Sequence, residues 1–163
     1  PLVKGFSPFN SANAYLICDH KYVMNQMLAD AGFPVPKALC VTKNEFESNQ
    51  WTLGDLQYPL VAKPTKDSFG GQGVLCNIKQ RELLNTHMKK LFDYYRLVTI
   101  EEFHGGLRSF RVTVLNGKII GILEKIPAQV IGDGVHSIEE LINIKNQYLK
   151  SLAKKLSINQ LRR

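Results

Sequence analysis

Two apolar periods alternate along this chain and divide it into helices and strands. Val23, Met24, Met27, Leu28 and Ala31 recur at helical spacing behind Asp19, a residue suited to capping, and Gly32 closes that segment. Pro34 and Pro36 then force an extended exit into a strand over Ala38 to Val41. Thr42 and Glu45 form a capping box, which predicts a short helix near residues 43–48. Residues 59–64 read as a strand: Leu60 to Ala62 are apolar, and Pro64, lacking an N–H, ends the strand or places it at a sheet edge. A strand over 73–78 follows, then a helix over 79–95 with Leu83, Leu84, Met88, Leu91 and Phe92 on its inner side, then a strand from Val98 to Phe103. Phe110, Val112 and Val114 alternate with Arg111 and Thr113, Asn116-Gly117 supplies a tight turn, and Ile119 to Leu123 runs back as a hairpin. Gly132-Asp133-Gly134 turns the chain, and a second capping box, Ser137 with Glu140, opens a last helix over about 138–156. The pattern is that of a mixed, largely antiparallel α+β chain with a boundary near residues 97–108.

The chemistry concentrates between Tyr58 and Val74. Lys63 sits at the exit of an apolar strand, where burial without an anionic partner is costly, and a nucleotide phosphate is such a partner. Gly70, Gly71 and Gly73 let the following loop turn successive N–H groups towards an anion. No Gly-Lys-Ser/Thr follows, so this is not a Walker loop. The residues alone leave two readings open: a phosphate cradle, and a glycine hairpin beside a lysine whose stem lies along apolar surface.

Composition removes several classes of function. The 163 residues are 44% apolar, enough for one domain or two small ones. A net charge of +7 suggests nucleic acid, yet Lys145, Lys150, Lys154, Lys155, Arg162 and Arg163 supply most of it and no acid follows Glu140, so residues 1–140 carry only about +1. The basicity therefore reads as a solvated helix face in the tail, with neither nucleic acid nor membrane as an expected partner. Cys18, Cys40 and Cys76 are odd in number and widely spaced, which fits a reduced, cytoplasmic compartment and no disulfide framework. His20, His87 and His104 have no partners at metal spacing and read as surface or hinge positions, while His136 reads as ordering its own loop. No run approaches the roughly 20 apolar residues of a membrane span.

Taken in order, several motifs resemble the ATP-grasp ligases. They are Lys21 opening a helix that ends in Ala-Gly-Phe-Pro-Val-Pro36, Tyr58-Pro-Leu-Val-Ala-Lys-Pro64 with Phe-Gly-Gly-Gln-Gly-Val74, Glu101-Glu-Phe103, and Phe110-Arg111. The run from Ile126 to Ile142, followed by Asn146, is similar to cyanophycin synthetases and to the ATP-grasp part of bifunctional glutathione-synthesising enzymes. The resemblance implies an ATP-grasp fold of mostly antiparallel sheets with flanking helices, present in part. Its layout would be a lead-in over 1–18, an N-terminal subdomain over 19–103 and the start of a C-terminal subdomain over 104–163. The implied activity is carboxylate–amine ligation: ATP phosphorylates a carboxylate, and an amine displaces phosphate from the acyl phosphate to form an amide. Lys21 and Lys63 would neutralise the α and β phosphates, and backbone N–H groups of the loop holding Ser68, Phe69, Gly70, Gly71 and Gly73 would close over the β and γ phosphates. Glu101, Glu102 and Phe103 would form the hinge strand at the adenine edge. Arg111 would hold the γ-phosphate or a substrate carboxylate, and Lys125 would stabilise transferred charge. Amino acids or peptides would be the substrates, Mg²⁺ the metal, and a homo-oligomer is left open.

The chain also departs from the family pattern. His20 separates Asp19 from Lys21, Asn25 stands where relatives have a second lysine, and Ser109 precedes Phe110-Arg111 where they have an acid for the ribose. The family's metal-binding acids and asparagine are expected beyond Arg163, so the isolated chain is expected to bind ATP weakly and not to turn over. Three rivals remain: a degenerate nucleotide-binding module, an ATP-grasp kinase acting on a hydroxyl, and a basic nucleic-acid module.

Overall fold

The computed structural model describes residues 10–126 and 128–160, with side chains as far as Leu152. Residues 1–9, half of the lead-in, and the tail charges Lys154, Lys155, Arg162 and Arg163 lie outside the described side chains. The chain divides into two compact units, one running to Gly106 and the other beginning at Leu107.

In the first unit, α1 (Ala12–Asp19) precedes α2 (Lys21–Asp30), and β1 (Ala38–Thr42), α3 (Lys43–Glu47), β2 (Leu60–Pro64), β3 (Leu75–Ile78), α4 (Arg81–Phe92) and β4 (Leu97–Glu102) follow. The strands form one sheet in the order β1-β4-β2-β3, antiparallel throughout. Pro64 ends β2, and β2 lies inside the sheet, so of the two alternatives for that proline the edge position is not taken.

Side chains on consecutive strand residues point to opposite faces, and the two faces of this sheet differ in kind. Leu60 and Ala62 of β2, Val98 and Ile100 of β4 and Val41 of β1 join Ile78, Leu84, Met88, Leu91 and Phe92 in one apolar core, extended by Trp51 and Leu56. Phe46 stacks at an angle on both Phe92 and Trp51, whose indole is covered by the Arg81 guanidinium at 3.9 Å. The opposite face carries Cys40, Lys63, Thr65, Thr99 and Glu101. There the buried Thr65 and Thr99 hydroxyls bond each other at 2.9 Å, so neither is left unsatisfied.

Several sequence expectations need correction. Asp19 does not cap α2: it is the last residue of α1, a helix the sequence pattern did not reveal, and the His20 ring accepts from the Val23 N–H at 3.3 Å instead. The helix expected over 79–95 is α4, Arg81–Phe92, and Leu83, expected inside, is 47% exposed. It lies about 100° around the helix from Leu84, off the arc shared by Leu84, Met88 and Leu91. The capping box at Thr42 and Glu45 forms as expected, and Gly32 and Phe33 N–H groups close α2 by bonding Ala29 and Leu28 carbonyls.

The second unit holds the hairpin β5 (Ser109–Leu115) and β6 (Lys118–Lys125), and α5 (Ile138–Gln160), which runs further than the sequence predicted. Asn116 and Gly117 both have positive φ, as the two-residue turn requires. Ser137 and Glu140 form the second capping box.

Candidate phosphate-binding site

The candidate site is built where α2 begins and β2 ends. The Lys21 N–H donates to the Thr65 carbonyl at 2.9 Å, tying the first residue of α2 to the residue just past β2. That bond sets Lys21 beside the strand end that carries Lys63. The Lys21 ammonium reaches the Ser68 hydroxyl at 3.0 Å, and the Asp67 N–H donates to the Asp19 carboxylate at 3.3 Å. The start of the glycine-rich loop is thus held by both ends of the α1–α2 junction. Burial lowers the Lys21 pKa from its ordinary value, and the neighbouring Lys63 charge pushes it down further against the opposing pull of Asp19 and Asp67.

Lys63 has found a partner within the fold. Its ammonium lies 2.5 Å from a Glu101 carboxylate oxygen, with both side chains largely covered. Glu101 is one of the three expected hinge residues. Glu102 accepts from the Gln57 N–H at 3.1 Å and donates its own N–H to the Lys37 carbonyl, while the Phe103 N–H donates to the Pro59 carbonyl at 2.8 Å.

The loop leaves the site at a fixed point. Gly73 has φ +71°, and a Cβ there would lie 2.9 Å from Pro64 and 3.0 Å from Leu91, so the backbone is wedged between the end of β2 and α4. Its carbonyl bonds Nε2 of His87 at 3.0 Å. Ahead of that point, Gly70 and Gly71 also have positive φ with open space around them, and Phe69 is exposed. The contacts of Asp19 and His87 with the loop were not legible in the sequence, since no spacing rule joins residues that meet only through the fold.

Arg111 and Lys125 lie in the second unit. Arg111 pairs with Leu123 and Ser109 with Lys125, so Arg111 and Lys125 occupy one face of the hairpin, while Arg108 makes a two-pronged bond to Glu124 at 2.8 and 2.9 Å. Asp133 receives the Val135 and His136 N–H groups and the His136 ring, which together hold its carboxyl down at about 2.

A cavity of about 850 Å³ lies elsewhere in the first unit, between the C-terminal half of α2, residues 32–39 and residues 52–56, and none of the candidate phosphate ligands lines it. Among the described residues no group of three or more His, Cys, Asp or Glu is placed to hold a metal ion. Among the described residues no helix is long and apolar enough to cross a membrane, and Cys18, Cys40 and Cys76 are free thiols.

No family model matches the chain. Comparison with solved structures does find its fold: D-alanine–D-alanine ligase from Helicobacter pylori superposes with a TM-score of 0.56 at 17% identity, over 85% of this chain and 47% of that one. The Bacillus anthracis D-alanine–D-alanine ligase complexed with ATP gives 0.56 at 23% identity, over 69% and 36%. This is part of the ATP-grasp fold, and the chain is a relative of the ATP-grasp carboxylate–amine ligases. Among particular proteins, it is 38% identical over 140 residues to cyanophycin synthetase of Crocosphaera subtropica, and 36% identical over 137 residues to the glutathione biosynthesis bifunctional protein GshAB of Streptococcus thermophilus. These matches cover 81% and 78% of the chain but only 15% and 17% of those relatives.

Proposed function

We propose that the chain supplies the phosphate-binding part of an ATP-dependent carboxylate–amine ligase that works through an acyl phosphate. In the first step the carboxylate oxygen of a small acid takes the γ-phosphoryl group and ADP leaves; in the second an amine attacks the acyl carbon, an amide forms and phosphate leaves. The meeting of Lys21, Lys63 and the start of the glycine-rich loop at the end of β2 carries this reading, with Lys21 bonded to the loop at Ser68. Two ammonium groups and a run of loop N–H groups present the complement of a polyphosphate. Glu101, on the neighbouring strand, pairs with the Lys63 ammonium. Glu101 to Phe103 would line the adenine edge, and Arg111 and Lys125, on one hairpin face, would meet the transferred phosphoryl group and the charge it carries. Mg²⁺ would be held by residues outside this set. Residues 19–103 and 104–163 would serve as the two subdomains, in a cytoplasmic enzyme acting on amino acids or peptides.

The distinguishing experiment is trapping. A protein that joins this chain to the family's expected Mg²⁺-binding residues is incubated with Mg-ATP, hydroxylamine and a panel of amino acids and short peptides, and hydroxamate is measured. Hydroxamate that depends on a particular acid is expected. Phosphorylated product without hydroxamate would replace the ligase with a kinase acting on a hydroxyl.

A further inference from the structure

We propose that His87 is a positioning residue for phosphate binding, acting through the backbone of Gly73; this rests on the cradle reading above. A carbonyl oxygen can only accept, so the 3.0 Å contact between Nε2 of His87 and the Gly73 oxygen requires Nε2 to carry the proton. His87 lies on α4 one residue before Met88, which is fully buried, so its backbone is fixed by the core. The ring therefore ties a rigid helix to the exit of the glycine-rich loop.

Two further features stiffen that exit of the loop's glycine run. Gly73 is pressed between Pro64 and Leu91, and Pro64 follows Lys63 directly, so the loop's exit and one phosphate lysine share a support. Gly70 and Gly71 have nothing within 4 Å of a Cβ position, and nothing comparable braces them. Turns join the two regions: the Val74 N–H bonds the Gly71 carbonyl and the Gln72 N–H bonds the Phe69 carbonyl, each at 3.1 Å. Orientation of the Gly73 peptide by His87 is thereby passed back to the N–H groups that would face the phosphates. A loop braced at Gly73, and tied at Asp67 and Ser68 to the α1–α2 junction, presents those groups with less ordering cost on binding.

The test compares His87→Leu with His87→Gln in the full chain. Glutamine keeps an N–H able to reach a carbonyl; leucine fills similar space without one. ATP and adenosine affinities are measured by calorimetry, and hydrogen exchange of the Gln72 and Val74 amides is followed without nucleotide. His87→Leu is expected to weaken ATP about 3- to 10-fold, leave adenosine unchanged and speed exchange at both amides, with His87→Gln restoring both readouts. A wild-type chain that prefers ATP over adenosine, together with a His87→Leu chain that binds both as the wild type does, overturns the positioning role and leaves the cradle standing. A wild-type chain with no preference for ATP overturns the cradle and, with it, the role proposed for His87. Equal losses for ATP and adenosine in His87→Leu would mark a general loss of structure and overturn the specific role.

Discussion

Lys63 and Glu101 satisfy each other across adjacent strands, so removing one charge has two effects that must be separated. Lys63→Met takes away a charged phosphate contact, for which a loss of about tenfold or more in ATP affinity is expected with adenosine unaffected. It also strands the Glu101 carboxylate in a covered position, and that lowers stability whatever Lys63 does for nucleotide. The double variant Lys63→Met/Glu101→Gln should recover the denaturation midpoint of the wild type while keeping the ATP defect. Recovery of ATP affinity along with stability would show that Lys63 serves only the fold.

Asp133 offers a titration that separates its donors. The His136 N–H is the largest influence on its carboxyl, followed by the His136 ring and the Val135 N–H, and together they bring it from 3.8 to about 2. A carboxyl depressed in the folded state stabilises the fold above the unfolded value of 3.8, and that contribution fades as pH falls through about 2. His136→Ala removes the ring and keeps both backbone donors. An NMR titration of that variant should therefore find Asp133 still below 3.8; a full return to 3.8 would assign the whole effect to the ring.

On the scale of elements, α4 carries the clearest contrast. Met88 is fully buried in the core, and Leu83, on the same helix, is 47% exposed. Met88→Ala is expected to cost about 2–5 kcal/mol in urea denaturation, and Leu83→Ala to stay within about 0.5 kcal/mol. Comparable losses at both positions would mean that Leu83 is covered in solution. The same helix shows how far an apolar pattern can be read: periodicity found α4 and most of its buried arc, and listing every leucine added one that lies off that arc. The capping boxes and the Asn116-Gly117 turn were legible because each is a local rule with its partners a few residues apart. Helix α1 was not, since none of its residues is buried and its apolar positions mark no face. His20 was overlooked as a cap because Asp19, a commoner capping residue, stood beside it. In the candidate site, Lys63 and the glycines were legible from residue types in order, and Lys21 from the resemblance of the ordered motifs to a family. Asp19, His87 and the Lys63–Glu101 pair depend on chain segments brought together over 14 to 48 positions, as the His87–Gly73 and Asp67–Asp19 bonds illustrate.

At the level of the whole molecule, the burial is unevenly shared. Every residue of the hydrophobic core belongs to the first unit, and among the described residues of the second none is buried. Residues 10–106 produced alone are accordingly expected to melt cooperatively, as followed by circular dichroism. Residues 107–163 alone are expected to show no cooperative transition, because a two-stranded hairpin with its apolar residues exposed lacks the burial that offsets chain entropy. A sharp melt from the second piece would show that its helix and hairpin pack into a core of their own.

The two-faced sheet of the first unit has a consequence for how the chain finds its pairing. A slip of β2 by one residue would exchange its faces, driving Lys63 into the layer filled by Leu84, Met88 and Leu91 and turning Ala62 out. An ammonium in that layer would face no carboxylate, so the misaligned strand is penalised by the same charge that is proposed to greet a phosphate. Glu101 does likewise for β4. A chain with valine at both positions would lose two sentries against misalignment, and its errors would surface as heterogeneous strand pairing before they surfaced as a lost ligand.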